Sequence, residues 1–171
     1  VSEIYSKPRV IKMAGKMGLV AGMALDLTTV DEDDGMPWDF NIESKRQKAK
    51  RLVGESKSLL LIGSPMCAAF SRLQNINFSK MSPDDVEKVR EYGKKHLEFC
   101  IELYNIQAKQ GLYFLHEHPE SASSWENEKM KELISKPSVS RVTGHMCRFG
   151  MTSQDEYGMG LVKKPTSFLT N

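Results

Sequence analysis

An α/β fold, a mostly parallel sheet with helices on both faces, is predicted by three features of the 171-residue sequence. Short runs rich in β-formers alternate with segments of helical periodicity through most of the chain. One of these runs, Leu59-Leu60-Leu61-Ile62, is apolar without interruption, as a strand buried on both faces should be. Polar groups recur just after the predicted strands, the edge at which sheets of this kind hold their ligands.

The elements follow in order. Val1 to Ser6 reads as a first strand, and Pro8 suits the first turn of the helix after it. Val10, Ala14 and Met17 recur at helical spacing, with Gly18 as the stop. Leu19 to Leu27 reads as a second strand with Asp26 near its end, and Asp31 to Pro37 as a polar loop. Trp38-Asp39-Phe40 reads as a short third strand, and Ser44 as the cap of a basic helix running to about Ser56. After the Leu59–Ile62 strand comes a loop rich in Ser and Asn. Ser82-Pro83-Asp84-Asp85 then has capping-box spacing, with proline at the first helical position. Val86, Val89, Gly93, Leu97, Cys100 and Tyr104 mark one face of the long helix that follows. Leu112 to Leu115 is the next strand and ends at His116-Glu117-His118-Pro119. Trp125 to Ser135 reads as a helix closed by Pro137, and Val139 to Cys147 as a strand. A Gly-rich stretch leads from there to Lys164-Pro165-Thr166.

The bulk numbers fit this reading. One domain over residues 1–171 is expected, possible as an excised part of a longer chain. Apolar residues make up 40% and charged residues 27%, values that exclude a disordered chain. A net charge of +2 makes no overall case for a nucleic-acid or membrane partner. Locally, Asp31-Glu32-Asp33-Asp34 is acidic and Lys45 to Arg51 is basic. They read either as two solvated faces or, for the basic run, as a phosphate contact. No run approaches the roughly 20 apolar residues of a membrane span, and no secretory signal is visible at Val1. Cys67, Cys100 and Cys147 are an odd set without framework spacing, as expected of free thiols in an intracellular compartment.

The candidate chemistry gathers at the strand ends. Cys67 follows a buried strand and a Ser-Pro turn, which places its sulfur at the mouth of a cleft. The bland alternative is a small buried thiol. Cys100 lies on the apolar face of a helix and reads as core. Glu117 stands between two histidines, as a proton donor or as a loop carboxylate paired with one of them. His116, His118, His145 and Cys147 form a conceivable metal set, but lack the spacing of a specific site. Asp26 lies roughly 20 residues beyond the first strand, where an acid can bind a ribose hydroxyl. The first turn, Tyr5-Ser6-Lys7-Pro8-Arg9, contains no glycine.

Leu61-Ile62-Gly63-Ser64-Pro65-Met66-Cys67-Ala68-Ala69-Phe70-Ser71 resembles the Pro-Cys nucleophile loop of the DNA cytosine-5 methyltransferases. Pro65, Cys67, Phe70 and Ser71 match the family form, while Met66 stands in place of a second proline. Glu117 matches the glutamate of the family's next motif, a Glu-Asn pair, and His118 replaces the asparagine. Glu3-Ile4-Tyr5-Ser6 stands where the family has its first cofactor motif, Asp26 at the ribose acid, and Asp39 at the third cofactor motif. Arg148 lies near a later motif containing arginines. The resemblance implies a Rossmann-like sheet of the S-adenosylmethionine-dependent methyltransferase type. It also implies S-adenosylmethionine held by Tyr5, Ser6, Asp26, Leu27, Asp39, Phe40 and Pro65, with Cys67, Glu117 and Arg148 as catalytic residues. The implied partner is nucleic acid, DNA in preference to RNA, with no membrane, and the implied location is the nucleus or cytoplasm. The chain is too short for the family's target-recognition region. Glu117-His118-Pro119 with Ser124-Trp125, and Lys164-Pro165-Thr166 with Thr170-Asn171, are also similar to segments of uncharacterised domains in retroelement polyproteins.

Three functions are therefore expected to compete. The first is a cytosine-5 methyltransferase acting through a cysteine nucleophile on a base taken out of the stack. The second is a methyltransferase-like fold without catalysis, used as a nucleic-acid-binding or assembly module. The third is a hydrolase pairing Cys67 with His116 or His118.

Overall fold

The structure, a computed structural model, describes residues 1–171. Its strands are β1 (Ser2–Ile4), β2 (Ala24–Leu25), β3 (Leu60–Gly63), β4 (Tyr113–Pro119), β5 (Ser140–His145), β6 (Thr152–Asp155), β7 (Gly158–Leu161) and β8 (Pro165–Thr170). Six of them form one sheet in the order β2-β1-β3-β4-β8-β5, and β6 and β7 form a separate hairpin. β1 pairs in parallel with β2 and β3, and β3 in parallel with β4. β8 runs antiparallel to both β4 and β5, so these two strands point the same way on either side of it. The fold is α/β as expected, but the sheet is mixed. β1 has β2 on one side and β3 on the other, so the strand order reverses there and opens a crevice at the carboxyl edge.

Five α-helices connect the strands: α1 (Val10–Lys16), α2 (Glu43–Ser56), α3 (Gln74–Phe78), α4 (Pro83–Lys109) and α5 (Glu128–Ile134). One core joins the strand residues Ile4, Leu25, Leu61, Phe114 and Leu169 to Ala49 and Val53 of α2, Leu97 to Tyr104 of α4, and Met130 and Leu133 of α5. These three helices therefore share one face of the sheet. α1 lies on the other face: the side chain of Glu3, opposite in direction to Ile4, accepts a hydrogen bond from Ile11 N (2.7 Å) at the helix start. Beyond α1 this second face is thinly covered. Leu60, Ile62, Leu115, Glu117 and Phe168 are only half-buried, and Val142 is 62% exposed. The Leu59–Ile62 run is thus not buried on both faces. Leu61 and Gly63 are buried while Leu60 and Ile62 are only partly so, the alternation of a strand with one packed side.

Local chemistry explains most boundaries. Ser82 Oγ accepts from Asp85 N (3.2 Å) and Pro83 opens α4, as the capping pattern predicts. Gly18 adopts a left-handed φ of +78° just after α1. Three expectations need correction. The second strand shrinks to Ala24–Leu25, since only Glu3 and Ile4 are there to pair with it. Trp38-Asp39-Phe40 is not a strand. Its backbone bonds go to a turn, Trp38 N to Thr29 O and Asp39 N to Pro37 O, while Trp38 and Phe40 drop into the core. Residues 165–170, read only as the end of a Gly-rich stretch, form the strand between β4 and β5.

Gly63 sets the distance between α4 and the sheet. A Cβ there would collide with the Tyr104 hydroxyl and stand 2.7 Å from Cys100 Sγ. Tyr104 Oη accepts from the Cys100 thiol (3.0 Å) and donates to His116 Nδ1 (3.0 Å). Its ring stacks on Phe114 at 4.7 Å.

The two charged runs meet. Lys45 Nζ donates to Asp31 and to Asp34, both at 2.7 Å, and Lys48 pairs with Asp31 and Asp33. Arg46 pairs with Glu43, and Lys50 with Glu102 at 2.7 Å. Both lysine ammoniums also lie over the Trp38 ring, at 5.2 and 5.4 Å. The basic run is therefore neutralised within the chain, which favours its structural reading over a phosphate contact. Burial alone would raise the Asp31 carboxyl. Hydrogen bonds from Lys45 and Lys48 outweigh it and hold the group at about 2, below its ordinary 3.8.

Two outcomes follow. Gly63→Ala should lower the unfolding free energy by roughly 3 kcal/mol through overpacking, read as a shift of the urea midpoint at unchanged slope. Asp31→Asn should cost about 2 kcal/mol at neutral pH. The wild type has this contribution in full above pH 3.8 and loses it as pH falls through about 2. Acid titrations of the two proteins should therefore converge in that window.

Candidate functional site

The chain leaves β3 at Gly63 and enters the segment that carries Cys67. Ser64 N donates to Ile4 O (3.2 Å), which fastens the first loop residue to β1. Pro65 is buried, and its carbonyl accepts from His118 Nε2 (2.9 Å). Cys67 then opens a 3-10 turn, Ala68–Phe70, closed by Phe70 N to Cys67 O at 3.0 Å. Gly93 of α4 lets the turn approach: a Cβ there would collide with the Ala69 methyl. Cys67 is partly exposed, and its sulfur has no hydrogen-bond partner. Cys100 is core, as its spacing predicts. It is fully buried, and burial pushes its thiol up to about 12.

β4 continues through Pro119 because β8 pairs with it as far as Thr166. Glu117 is therefore inside a strand, opposite Phe168, and not in a loop after one. Strand alternation sends His116 and His118 to the helix-covered face and Glu117 to the other. The register pairs Gly63 with His116. Glu117 thus stands one residue past the paired end of β3, and Cys67 four residues past it, on adjacent parallel strands.

Both histidines are tied into the core. A carbonyl can only accept, so His118 Nε2–H donates to Pro65 O, and Nδ1 accepts from Ser124 Oγ–H (2.7 Å). Burial pushes His118 down to about 4, although the Pro65 bond acts the other way. Burial, and then the neighbouring His118, hold His116 well below its ordinary value. His116 Nε2 is buried without a partner. Neither histidine hydrogen-bonds the Cys67 sulfur, which removes the geometric basis of the hydrolase reading. No group of three or more His, Cys, Asp or Glu side chains is arranged to hold a metal ion. His116, His118, His145 and Cys147 are not brought together as a ligand set.

The residues assigned to a cofactor divide into two groups. Tyr5 and Phe40 are core side chains, with ring centroids 4.9 Å apart, and only their backbone is available to a ligand. The Tyr5 hydroxyl donates to His96 Nδ1 (2.7 Å), and burial pushes His96 down to about 4. Tyr5 has φ +56°, a left-handed conformation rare for a bulky residue and costing about 1–3 kcal/mol. The turn after β1 thus bends as a glycine turn does, without glycine. Ser6 Oγ donates to Glu3 Oε2 (2.8 Å), and Pro65 serves the Cys67 loop.

Asp26, Leu27 and Asp39 belong to the second group. Asp26 follows β2, and its Oδ1 accepts from Thr28 N (3.0 Å). Asp39 Oδ1 accepts from Asn41 N and Nδ2, both at 2.9 Å. Oδ2 of each carboxylate has no hydrogen-bond partner. A cleft of about 450 Å³ opens beside Leu27 and Asp39, with Leu27, Met36, Pro37 and Ile42 as apolar walls and Asp39, Asn41 and Tyr92 as polar ones; Asp26 does not line it. Tyr92 comes from α4 and was not singled out by the sequence reading. Arg148 is exposed in the 3-10 turn Met146–Phe149 that follows β5, at the same sheet edge.

His96, His116 and His118 are folded neutral, whereas free histidine titrates near 6.5. Between pH 6.5 and about 4 the unfolded chain binds protons that the folded one does not, so stability falls as pH drops through that window. Each histidine contributes a slope approaching about 1.4 kcal/mol per pH unit. Urea unfolding at pH 7.5, 6 and 5 should show the fall, and a flat profile would refute the assignment. No protein-family model matches this chain, and no curated protein matches it.

Proposed function

We propose that this chain is a Rossmann-like domain of the S-adenosylmethionine-dependent cytosine-5 methyltransferase type, acting on nucleic acid, DNA before RNA, through Cys67. The observation that carries the reading is positional. Cys67, Glu117 and Asp26 belong to the carboxyl edge of one sheet, on both sides of the strand where its order reverses, and Asp39 lies in the connection from β2 to α2. Ligands of open α/β sheets bind at that place.

The residues around the cleft fit the cofactor. Its apolar walls suit an adenine ring and the free Asp39 oxygen an exocyclic amine, and Asp26, next in sequence to the lining residue Leu27, has a free oxygen for a ribose hydroxyl. When bound there, S-adenosylmethionine would supply an electrophilic methyl group. Cys67, as thiolate, adds to C6 of the cytosine ring and makes C5 nucleophilic. Glu117 hydrogen-bonds N3 and holds the charge that develops on the ring. With the methyl group in place, transfer of the C5 proton to a water molecule would expel the Cys67 sulfur and restore aromaticity. His118 holds the Pro65 carbonyl and so positions the Cys67 loop without touching the ring. Arg148 is available to a phosphate or to the base.

A second reading, the inactive binding or assembly module, is favoured by the first turn. Tyr5 takes the left-handed position with a side chain where close backbone approach calls for glycine. Two measurements decide between the readings. Calorimetry should show saturable S-adenosylmethionine binding that Asp26→Ala abolishes, and absence of heat would favour the module. DNA containing 5-fluorocytosine should form a covalent adduct that is lost in Cys67→Ser. Glu117→Gln should slow methyl transfer by about 10²-fold or more. An adduct that survives Cys67→Ser would refute the nucleophile.

A further inference from the structure

A second hollow, of about 430 Å³, lies beyond the Cys67 turn. One wall is the chain just after that turn, including Ala69 and Arg72. Another is the loop after β4, with Ser121 and Ser123. Arg90 reaches it from α4 and Arg141 from β5. Three guanidiniums therefore converge from three distant parts of the sequence.

Two of them are held by aromatic faces. Arg141 lies 4.0 Å from the Trp125 ring centroid, and its Nη2 donates to Glu120 O (2.8 Å) and Ser167 Oγ (3.1 Å). Its remaining N–H groups are free. Arg90 lies over Phe78 at 5.4 Å. Arg72 and Arg90 form no ion pair; of the acids near Arg90 on α4, Asp85 and Glu91 are taken by Lys88 and Lys94, and Glu87 is unpaired. Two carboxylates line the hollow, and Glu126 is already paired with Lys131 at 2.7 Å. Glu120 alone remains against three arginines. Three guanidiniums facing one hollow against a single free carboxylate favour an anion there, and an anion with several oxygens matches their forked donors.

We infer that this hollow is a binding site for a phosphate group, supplied by a nucleic-acid strand or by a free nucleotide. Ala69 lines it two residues after Cys67, so a nucleotide held here by its phosphate lies beside the turn that carries the sulfur. The inference draws its nucleic-acid occupant from the function proposed above, but the phosphate site itself does not require catalysis.

The test is fluorescence anisotropy of the full chain with a labelled single-stranded DNA 12-mer and, as competitors, deoxycytidine and deoxycytidine monophosphate. The variant is Arg72→Ala with Arg90→Ala. Both residues are exposed, so its unfolding midpoint should match the wild type. The expected result is at least tenfold weaker 12-mer binding, with a shallower salt dependence from the lost phosphate contacts. Arg72→Lys with Arg90→Lys should recover part of the affinity, since charge is kept and the fork is lost. Efficient displacement by the monophosphate but not by the nucleoside identifies a free nucleotide as the occupant. Displacement by neither identifies the strand. Unchanged affinity of the alanine variant for both phosphate ligands overturns the site. The arms also separate the two claims. Arginine-dependent binding with no adduct and no cofactor heat keeps the phosphate site and sinks methyl transfer. An adduct formed equally well by the alanine variant, with unaltered 12-mer affinity, does the reverse.

Discussion

The hydroxyl of Tyr104 sits over Gly63, receives the Cys100 thiol proton and gives its own to His116. Most of the candidate site inherits its geometry from that contact. A long helix can lie this close to a sheet only where a strand residue lacks a side chain, and Gly63 is the last residue of β3. The helix is thus pinned at the point where the chain turns out toward Cys67. Each of these buried bonds adds only about 1 kcal/mol net, but leaving one unmade costs about 1–3 kcal/mol. The network therefore specifies one packing more than it stabilises it. Gly93 repeats the arrangement about three turns nearer the helix start, against Ala69, so the Cys67 turn is held at both ends by close approach to α4.

Histidine gives this core an unusual character. Three imidazoles are enclosed among aromatic rings, each with at least one polar partner. The charged groups do the opposite work at the margins, where the acidic loop folds over the basic helix and closes the edge beside β2. Polarity inside sets positions, and ion pairs outside fasten a loop that contributes no strand to the sheet. The arginines near Cys67 differ from the acidic loop and basic helix in that they line one hollow from separate elements without forming ion pairs among the acids there, Glu120 and Glu126.

Local signals were legible in the sequence. Ser82-Pro83 marked the start of α4, Gly18 the end of α1, and the buried stripe of α4 was correct from Gly93 to Tyr104. Asp26 and Cys67 were placed after strands because strand-then-loop order is itself a local pattern, whereas Asp39 lies in a turn and not on a strand. Non-local pairing was hidden. Thr166 and Ser167 are buried polar residues in β8, so that strand shows no apolar alternation. Its absence from the reading also cut β4 short and put Glu117 in a loop. His118 looked like a candidate base because its partner, the Pro65 carbonyl, lies 53 residues away. The convergence of Arg72, Arg90 and Arg141 had no sequence signature at all.

The place of β8 has a kinetic consequence. β8 follows the other five strands of its sheet in sequence yet lies inside it, and β5 has no other neighbour in the sheet. While the ribosome is still making residues 146 to 170, β4 presents an open edge and β5 is unpaired. Sheet closure then joins segments about 50 residues apart, a non-local step of the kind that slows folding. Until it happens, the nascent protein displays a strand edge able to recruit other chains. Synthesis and closure are therefore in competition with aggregation, and the β6–β7 hairpin is the tether whose length sets how soon β8 can find its slot.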